Sequence, residues 1–488
     1  MIRINPGDVI GRVNPNIYGM FIEHLGRCIY GGIFDEGSPL SDSEGYRTDV
    51  LKAVRRLAPP ILRWPGGNFV SGYHWMDGIG PKGERQRKYD LAWFSEESNR
   101  FGTDEFLGFC RRVGTEPYIC ANAGTGTLDE AAGWVEYCNG WSNTYYANLR
   151  RRYGNNVPYN VRYWGLGNEM YGFWQIAALD AEDYAKKARE MAKVMRWTDP
   201  RIELVACGLG KPEWDVPVLE RLRQNPEYIK PVEYLSVHCY VGTYDYYNNV
   251  SSVTYIEDIL ERTKASLCQV YGVDDAGKAP VKVSVDEWNV WFEARKNERD
   301  DNESKLREVY NLSDALCDAT FLHLFQRECR VVTMATLAQM VNVIAPILTS
   351  PTGIVLQTIF YPLELLRHHS GPLAVRAEVR SEMIPAAQTK TRDVPYLDVS
   401  ATSDEDATTL YLSVVNRHES ETIEVPIVIA GGSVEFLRGW EVNGPDVRAE
   451  NTFEHPNLVR TRPIKADLAR GTYAFPAHSH TVLELKLS

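Results

Sequence analysis

Short apolar runs alternate with amphipathic segments along most of the chain. Runs at 17–21, 61–64, 117–121, 161–166, 202–207, 234–237, 281–285 and 331–337 have the length and residue content of buried strands. Helical spacing predicts segments between them. Residues 47–57 place Leu51, Val54 and Ala58 on one face, with Thr48 as cap and Pro59-Pro60 as stop. Residues 103–113 place Phe106, Phe109, Cys110 and Val113 on one face, with Thr103 as cap and Gly114 past the end. Residues 181–197 follow an Asp180 cap, with Tyr184, Ala188, Met191 and Met195 at helical spacing.

Repeated strand–helix units favour a parallel sheet, and eight of them favour a closed (β/α)8 TIM barrel over 16–370. A doubly wound open sheet is the rival, and no GxGxxG opens a helix after the first strand. Beyond about residue 370 helical periodicity gives way to short alternating runs at 409–415, 422–429 and 481–487, with turn signals at Gly431-Gly432 and Asn443-Gly444-Pro445. This predicts a C-terminal antiparallel β-sandwich (jelly-roll-like) domain at 371–488, joined by an N-terminal strand from 1–15. Residues 293–308 are rich in charge and read as a solvated loop or helix face.

Composition narrows the function. The 488 residues carry 65 acids against 53 bases, a net charge of −12. Nucleic acid is thereby a poor partner, because phosphate binding needs a basic footprint. The stretch 331–363 has no charged residue, but Gln339, Asn342, Pro346, Ser350, Pro351 and Gly353 interrupt it, so no membrane span is expected. Nine cysteines form no CxxC and fit no zinc spacing. They read as reduced, mostly buried thiols, and with no apolar leader in residues 1–16 they point to the cytoplasm. The 12 Trp and 27 Tyr exceed what a core demands and raise the question of a ring-lined binding site.

Polar residues gather just after the apolar runs, at Glu23, Asn68, Asn122, Asn168-Glu169, His238, Glu287 and Gln339. That is where a barrel of this kind carries its active site. Glu169 and Glu287 end strands about three places apart, on near-facing positions. Two such carboxylates suit glycoside hydrolysis, one protonated to assist the leaving oxygen and one ionised to attack or to activate water. No metal or organic cofactor is implied.

The motifs carry a resemblance over nearly the whole chain. Tyr18-Gly-Met-Phe-Ile-Glu-His-Leu-Gly-Arg27, Arg63-Trp-Pro-Gly-Gly-Asn-Phe69, Leu91-Ala-Trp93 with Phe101-Gly-Thr-Asp-Glu-Phe106, Gly167-Asn-Glu-Met170, Ser236-Val-His238 with Tyr240, Asp286-Glu-Trp-Asn-Val-Trp291 and Leu337-Ala-Gln-Met-Val-Asn-Val-Ile-Ala-Pro346 occur in order. Together they resemble the α-L-arabinofuranosidases of glycoside hydrolase family 51. The resemblance implies a barrel with a β-sandwich, retention of configuration, arabinofuranosyl oligosaccharides as substrates and a homo-oligomer (a hexamer). It implies Glu169 as general acid and then base, and Glu287 as nucleophile. Glu23, Asn68, Asn168, Tyr240 and Gln339 would hold the furanose, Trp93 and Trp291 would wall the pocket, and His238 would stand beside the acid. Tyr240 and Arg63 are expected to bond to Glu287 and keep it ionised.

The chain departs from the family pattern at Tyr171-Gly-Phe-Trp174, at Cys239 and at 244–248. These are expected at the rim, away from the carboxylates. They leave room for a β-D-galactofuranosidase, which shares the ring stereochemistry, or for xylosidase or endoglucanase activity. A non-catalytic carbohydrate-binding protein is the reading from another class, and the presence of both glutamates weighs against it.

Overall fold

The computed structural model describes residues 1–227, 230–292, 306–468 and 470–487. Its first eleven strands are β1 (Ile2–Arg12), β2 (Gly19–Phe21), β3 (Ile61–Trp64), β4 (Lys88–Asp90), β5 (Ser95–Glu97), β6 (Glu116–Ala121), β7 (Tyr163–Leu166), β8 (Glu203–Cys207), β9 (Tyr234–Val241), β10 (Lys282–Val290) and β11 (Val332–Ala338). Eight of them close a barrel in the order β2, β3, β6, β7, β8, β9, β10, β11, with every neighbouring pair parallel. Each apolar run therefore becomes a barrel strand, and closure excludes the open-sheet alternative. Ile61, Tyr118, Tyr163, Val205, Tyr234 and Met334, each from a different barrel strand, pack as a separate buried cluster. Side chains thus fill the barrel interior and leave the C-terminal mouth for chemistry.

The helices fall where the periodicity places them, but two caps differ. Helix Thr48–Leu57 has Arg47 at its N-cap position, and Thr48 Oγ1 donates instead to the Leu40 carbonyl. Helix Thr103–Val113 has Gly102 at its N-cap position. There Glu105 accepts from the Gly102 N–H at 2.9 Å, while Thr103 Oγ1 accepts from Trp134. Asp180 caps Ala181–Thr198 by accepting from the Asp183 N–H. The uncharged stretch 331–363 forms β11, the hairpin Ile347–Ser350 with Gly353–Leu356, and the start of helix Phe360–His368. No helix among the described residues is long and apolar enough to cross a membrane. Of the charged stretch 293–308, residues 293–305 lie outside the described residues.

The alternating C-terminal runs build one nine-stranded, curled sheet. The expected C-terminal sandwich is thus present, with its strands hydrogen-bonded continuously so that the sheet curls over one core. β1 lies inside it, antiparallel to Leu373–Val379 and parallel to Ile423–Ile429. Curling lets Ile2, Ile4, Leu397, Leu410, Leu412, Val425, Phe475 and Leu483 share one buried cluster.

Helix Leu312–Arg327 is buried along nearly its whole length between the barrel and this sheet. Its polar groups are matched by the sheet's. His323 Nδ1 donates to Asp398 Oδ1 at 2.7 Å, so its Nε2 accepts from the Ser413 hydroxyl at 2.6 Å. Arg327 and Arg417 donate to the same carboxylate at 3.1 and 2.9 Å. Burial alone would raise the Asp398 pKa, but the two guanidiniums and His323 outweigh it and hold the group far below the usual carboxylate range. A lowered folded-state pKa means stability that is present above the unfolded value, ~3.9, and lost as pH falls below it. Asp398→Asn is expected to remove about 3–5 kcal/mol of stability at pH 7, because it leaves buried guanidinium uncompensated. In urea unfolding the gap between variant and wild type should close as the pH drops below about 4.

Candidate active site

At the barrel mouth the chain must turn sharply to bring polar groups inward. After β3, Pro65-Gly66-Gly67 passes so close to two carboxylates that a Cβ on Gly66 would sit 2.9 Å from Glu23 Cγ, and one on Gly67 would sit 3.0 Å from Glu287 Oε1. After β7, Gly167 (φ +84°) is followed by Glu169 at φ +42°, a left-handed conformation that is costly for a glutamate. The turn points Glu169 across the mouth toward β9 and β10.

β10 supplies two acids in succession. Strand alternation would send Asp286 and Glu287 to opposite faces. Pairing of β10 with β9 shifts register between Ser284 and Glu287, and pairing with β11 shifts between Val285 and Trp288. This irregularity lets both carboxylates reach the interior. There they meet Arg63 of β3, which is 1% exposed. Arg63 Nη1 donates to Glu287 Oε1 at 2.7 Å, Nη2 donates to Asn168 Oδ1 at 2.7 Å, and Nε lies 3.8 Å from Asp286 Oδ2. Burial opposes its charge, but Asp286 and Glu287 outweigh burial and hold its pKa well above the ordinary value. The Tyr240 hydroxyl donates to Glu287 Oε2 at 2.7 Å.

His238 of β9 stands between the acids. Nδ1 lies 2.7 Å from Glu169 Oε1 and 3.6 Å from Glu287 Oε2, and Nε2 lies 3.2 Å from Asp286 Oδ1. Burial would lower its pKa, yet Glu287, Asp286 and Glu169 raise it to about 10. For Glu169, burial pushes upward, but the His238 hydrogen bond and charge prevail and the pKa is lowered. Asp286 is held down at about 2, against burial, by Arg63, His238 and Ser236. Tyr118 donates to its other oxygen at 2.7 Å.

Glu23, Trp93 and Gln339 form a second cluster beside the first. Glu23 Oε1 accepts from Trp93 Nε1 and from the Phe69 N–H, both at 3.0 Å, and Oε2 accepts from Gln339 Nε2 at 2.9 Å. Burial raises the Glu23 pKa to about 7, with the Glu287 charge adding to it. Trp93 is carried by the loop between β4 and β5, where Asp90 accepts from the Ala92 and Trp93 N–H groups. Trp291 packs edge-on against Tyr240 with centroids 5.5 Å apart. Asn68 is half-buried at the start of the turn Asn68–Gly72, one residue from the Gly67 approach to Glu287.

The structure thus brings Glu23, Trp93, Gln339, Arg63, Asn168, Glu169, His238, Tyr240 and Glu287 into one site, with Asn68 and Trp291 beside them. Two expectations are corrected. Tyr171 and Trp174 do not stop at the rim. Trp174 Nε1 donates to Glu169 Oε2 at 2.6 Å, and the Tyr171 hydroxyl lies 3.3 Å from Oε1. Cys239 is buried, and burial pushes its thiol up to about 12, so it is a packed thiol like most of the nine, all of them free. Asp286, Tyr118 and Ser236 are the functional neighbours the sequence did not single out. A second acid directly before Glu287 was the available signal, and alternation argued against reading it.

One carboxylate oxygen each from Glu169 and Glu287 and a ring nitrogen of His238 lie within 4.8 Å of one another, a spacing a cation could use. Arg63 already neutralises Glu287 there, and a protonated His238 offers no lone pair. The donor set therefore favours an uncharged, hydroxyl-bearing ligand over a metal ion.

Comparisons with known proteins agree with this geometry. Residues 53–255 match the family model "Alpha-L-arabinofuranosidase 1 domain" and residues 286–479 match "Alpha-L-arabinofuranosidase C-terminal domain". The chain is 43% identical to alpha-L-arabinofuranosidase C of Emericella nidulans, over 99% of this chain and 97% of that one. It is 38% identical to the intracellular exo-alpha-(1->5)-L-arabinofuranosidase 1 of Bacillus subtilis, over 92% and 91%. The crystal structure of the Thermotoga maritima alpha-L-arabinofuranosidase arabinose complex superposes with a TM-score of 0.89 at 44% identity, covering 100% of this chain and 99% of that one. A family 51 alpha-L-arabinofuranosidase from Bifidobacterium longum superposes with a TM-score of 0.91 at 30% identity, covering 99% of both. The barrel, the paired glutamates and these likenesses converge: the chain belongs to the α-L-arabinofuranosidases of glycoside hydrolase family 51.

Proposed function

We propose that this glycoside hydrolase is a retaining, exo-acting α-L-arabinofuranosidase that releases terminal arabinofuranose from arabino- and arabinoxylo-oligosaccharides. The observation that carries the reading is the approach of Glu169 and Glu287, one oxygen of each carboxylate lying within 4.8 Å of the other. Retaining enzymes hold their two carboxyl groups at about 5–5.5 Å, whereas inverting ones need about 6.5–9.5 Å for an intervening water. The catalytic unit is the barrel of 16–370, braced by 371–488 together with the N-terminal strand.

Glu287, which accepts hydrogen bonds from Arg63 and Tyr240, attacks C1. The glycosidic C1–O bond breaks and the leaving oxygen takes a proton from Glu169. In the free enzyme that proton rests on His238 Nδ1, 2.7 Å from Glu169 Oε1, and moves along this hydrogen bond. Water then attacks C1 of the glycosyl-enzyme, the bond to Glu287 breaks, and the proton released by water returns to the Glu169–His238 pair. Asn168 is positioned to bond the 2-hydroxyl, a contact that strengthens as C1 gains positive charge. Glu23, Asn68, Gln339 and Trp93 line the remaining hydroxyl contacts of the furanose, and Trp291 walls the pocket.

We further infer a cytoplasmic homo-oligomer, a hexamer by family resemblance. Nine free thiols and the intracellular Bacillus subtilis relative support the compartment. Exposed Tyr89, Leu91 and Phe94 on and between β4 and β5 support association. Sedimentation measures the latter directly.

Glu287→Ala is expected to lower turnover of an aryl α-L-arabinofuranoside by about 10⁴-fold or more, and near-wild-type activity would refute the nucleophile assignment. Glu169→Ala should lose about 10²–10⁴-fold on glycosides with poor leaving groups and far less on activated aryl ones. Azide should restore its turnover by attacking the glycosyl-enzyme. His238→Asn removes the cation that retains the shared proton. With the His238 pKa raised to about 10, its loss should move the basic limb of the kcat/KM profile to lower pH, by about one unit or more. An unchanged basic limb places the proton elsewhere.

A further inference from the structure

Two donors reach the same oxygen of Glu23 by separate routes. The Phe69 N–H and Trp93 Nε1 both donate to Oε1 at 3.0 Å. Phe69 directly follows the barrel strand β3, whereas Trp93 comes from the hairpin of β4 and β5, which lies outside the barrel sheet. Whatever fixes that hairpin therefore decides whether Glu23 keeps both donors.

None of the hairpin's apolar side chains is fully buried. Of residues 88–97 only the two acids Asp90 and Glu97 are buried, while Tyr89, Leu91 and Phe94 are exposed. Asp90 is used within the turn, on the Ala92 and Trp93 N–H groups. Lys88 pairs with Asp77 at 2.6 Å, but both are partly exposed, and an ion pair open to water contributes little. Glu97 is enclosed by donors. The Tyr30 hydroxyl and, at 2.6 Å, the Asn99 N–H donate to its Oε1, and His24 Nδ1 lies 2.8 Å from its Oε2.

The far nitrogen of His24 settles the direction of that last contact. Trp64 Nε1 lies 3.1 Å from His24 Nε2, and an indole can only donate. Nε2 is thus the acceptor, and Nδ1 carries the proton that Glu97 accepts. The imidazole has little freedom to follow a shifting hairpin. It stacks on Phe69 with centroids 4.6 Å apart, between the rings of Tyr30 and Trp64. His24 therefore packs on the residue that supplies one Glu23 donor and holds the hairpin that supplies the other.

We propose that His24 and Glu97 are positioning residues for furanose recognition: their hydrogen bond latches the hairpin to the barrel and keeps Trp93 on Glu23. The assignment rests on the arabinofuranosidase reading, in which Glu23 and Trp93 hold the terminal sugar. Both latch residues are buried and act through that pair. Losing the latch removes binding common to ground state and transition state, so KM rises more than kcat falls.

Kinetics on an aryl α-L-arabinofuranoside test this. His24→Gln and Glu97→Gln are each expected to raise KM about tenfold and to keep kcat within about threefold of wild type, with thermal melting confirming that they fold. At Glu97 an amide sets its own N–H groups against a donor. His24→Asn can place its amide nitrogen near the Nδ1 position and should recover most of the loss, whereas a packing role would favour the larger Gln. In a Trp93→Ala background either latch variant should change KM less than about twofold, because its route to Glu23 is already cut. Should the His24 variants fail to fold, Glu97→Gln with Trp93→Ala completes the same cycle. A full tenfold effect on top of Trp93→Ala, a loss carried by kcat alone, or rescue by Gln as good as by Asn overturns the latch and leaves the parent reading standing. A wild type that does not cleave the aryl glycoside overturns both.

Discussion

A single buried guanidinium makes this barrel mouth possible. Glu287, Asp286 and Glu169 crowd one end of the barrel, and isolated carboxylates there would be neutralised or expelled. Arg63 is planar, permanently charged and able to donate in several directions at once. One nitrogen takes Glu287, another takes Asn168, and the third faces Asp286. It therefore sets the spacing between β3, β7 and β10 as well as the charge. Against such a partner Asp286 keeps its charge despite burial, and the close Gly66-Gly67 backbone leaves room for the cluster to form.

His238 is the second cation, and it differs from Arg63 in being able to give its proton up. Its two nitrogens face different acids, Glu169 on one side and Asp286 on the other. Asp286, fastened by Tyr118 and Ser236, stays ionised and favours a charged ring. Placing a titratable cation between the proposed acid and a fixed anion keeps one proton within reach of Glu169, although Glu169 itself has a lowered pKa. Trp174 and Tyr171 orient the same carboxylate from the solvent side, so the aromatic departure after Gly167-Asn-Glu-Met170 bears on how the acid is held as well as on the rim.

Much of this was legible in the sequence because period and punctuation agreed. All eight barrel strands could be placed from apolar runs, and polar residues after them pointed at the mouth. What could not be read depends on distance across the fold. The Thr48 and Thr103 hydroxyls follow good capping rules, yet tertiary partners claim them. Asp286 hid behind strand alternation, which the irregular pairing around 284–288 breaks. The C-terminal runs predict strands but not which edges join, so one continuous curled sheet and two packed sheets look alike in sequence. The His323–Asp398–Ser413 seam joins residues 75 and 90 positions apart, beyond any local signal.

The two halves of the mouth also differ in kind. Around Glu23 the carboxylate is already ringed by donors: Gln339, Trp93 and the Phe69 N–H all bond to it. A ligand entering there must replace or extend a closed set of hydrogen bonds, and a sugar lacking one matching hydroxyl leaves a buried group unpaired. Discrimination on that side is steep. Around Glu169 the surroundings are open aromatic surface, with Phe173 93% and Trp174 49% exposed. Exposed rings accept many partners at little cost, because contact with a flat face demands no single register. The mouth thus offers a ligand two different surfaces: a buried carboxylate ringed by hydrogen bonds around Glu23, and exposed rings beside Glu169.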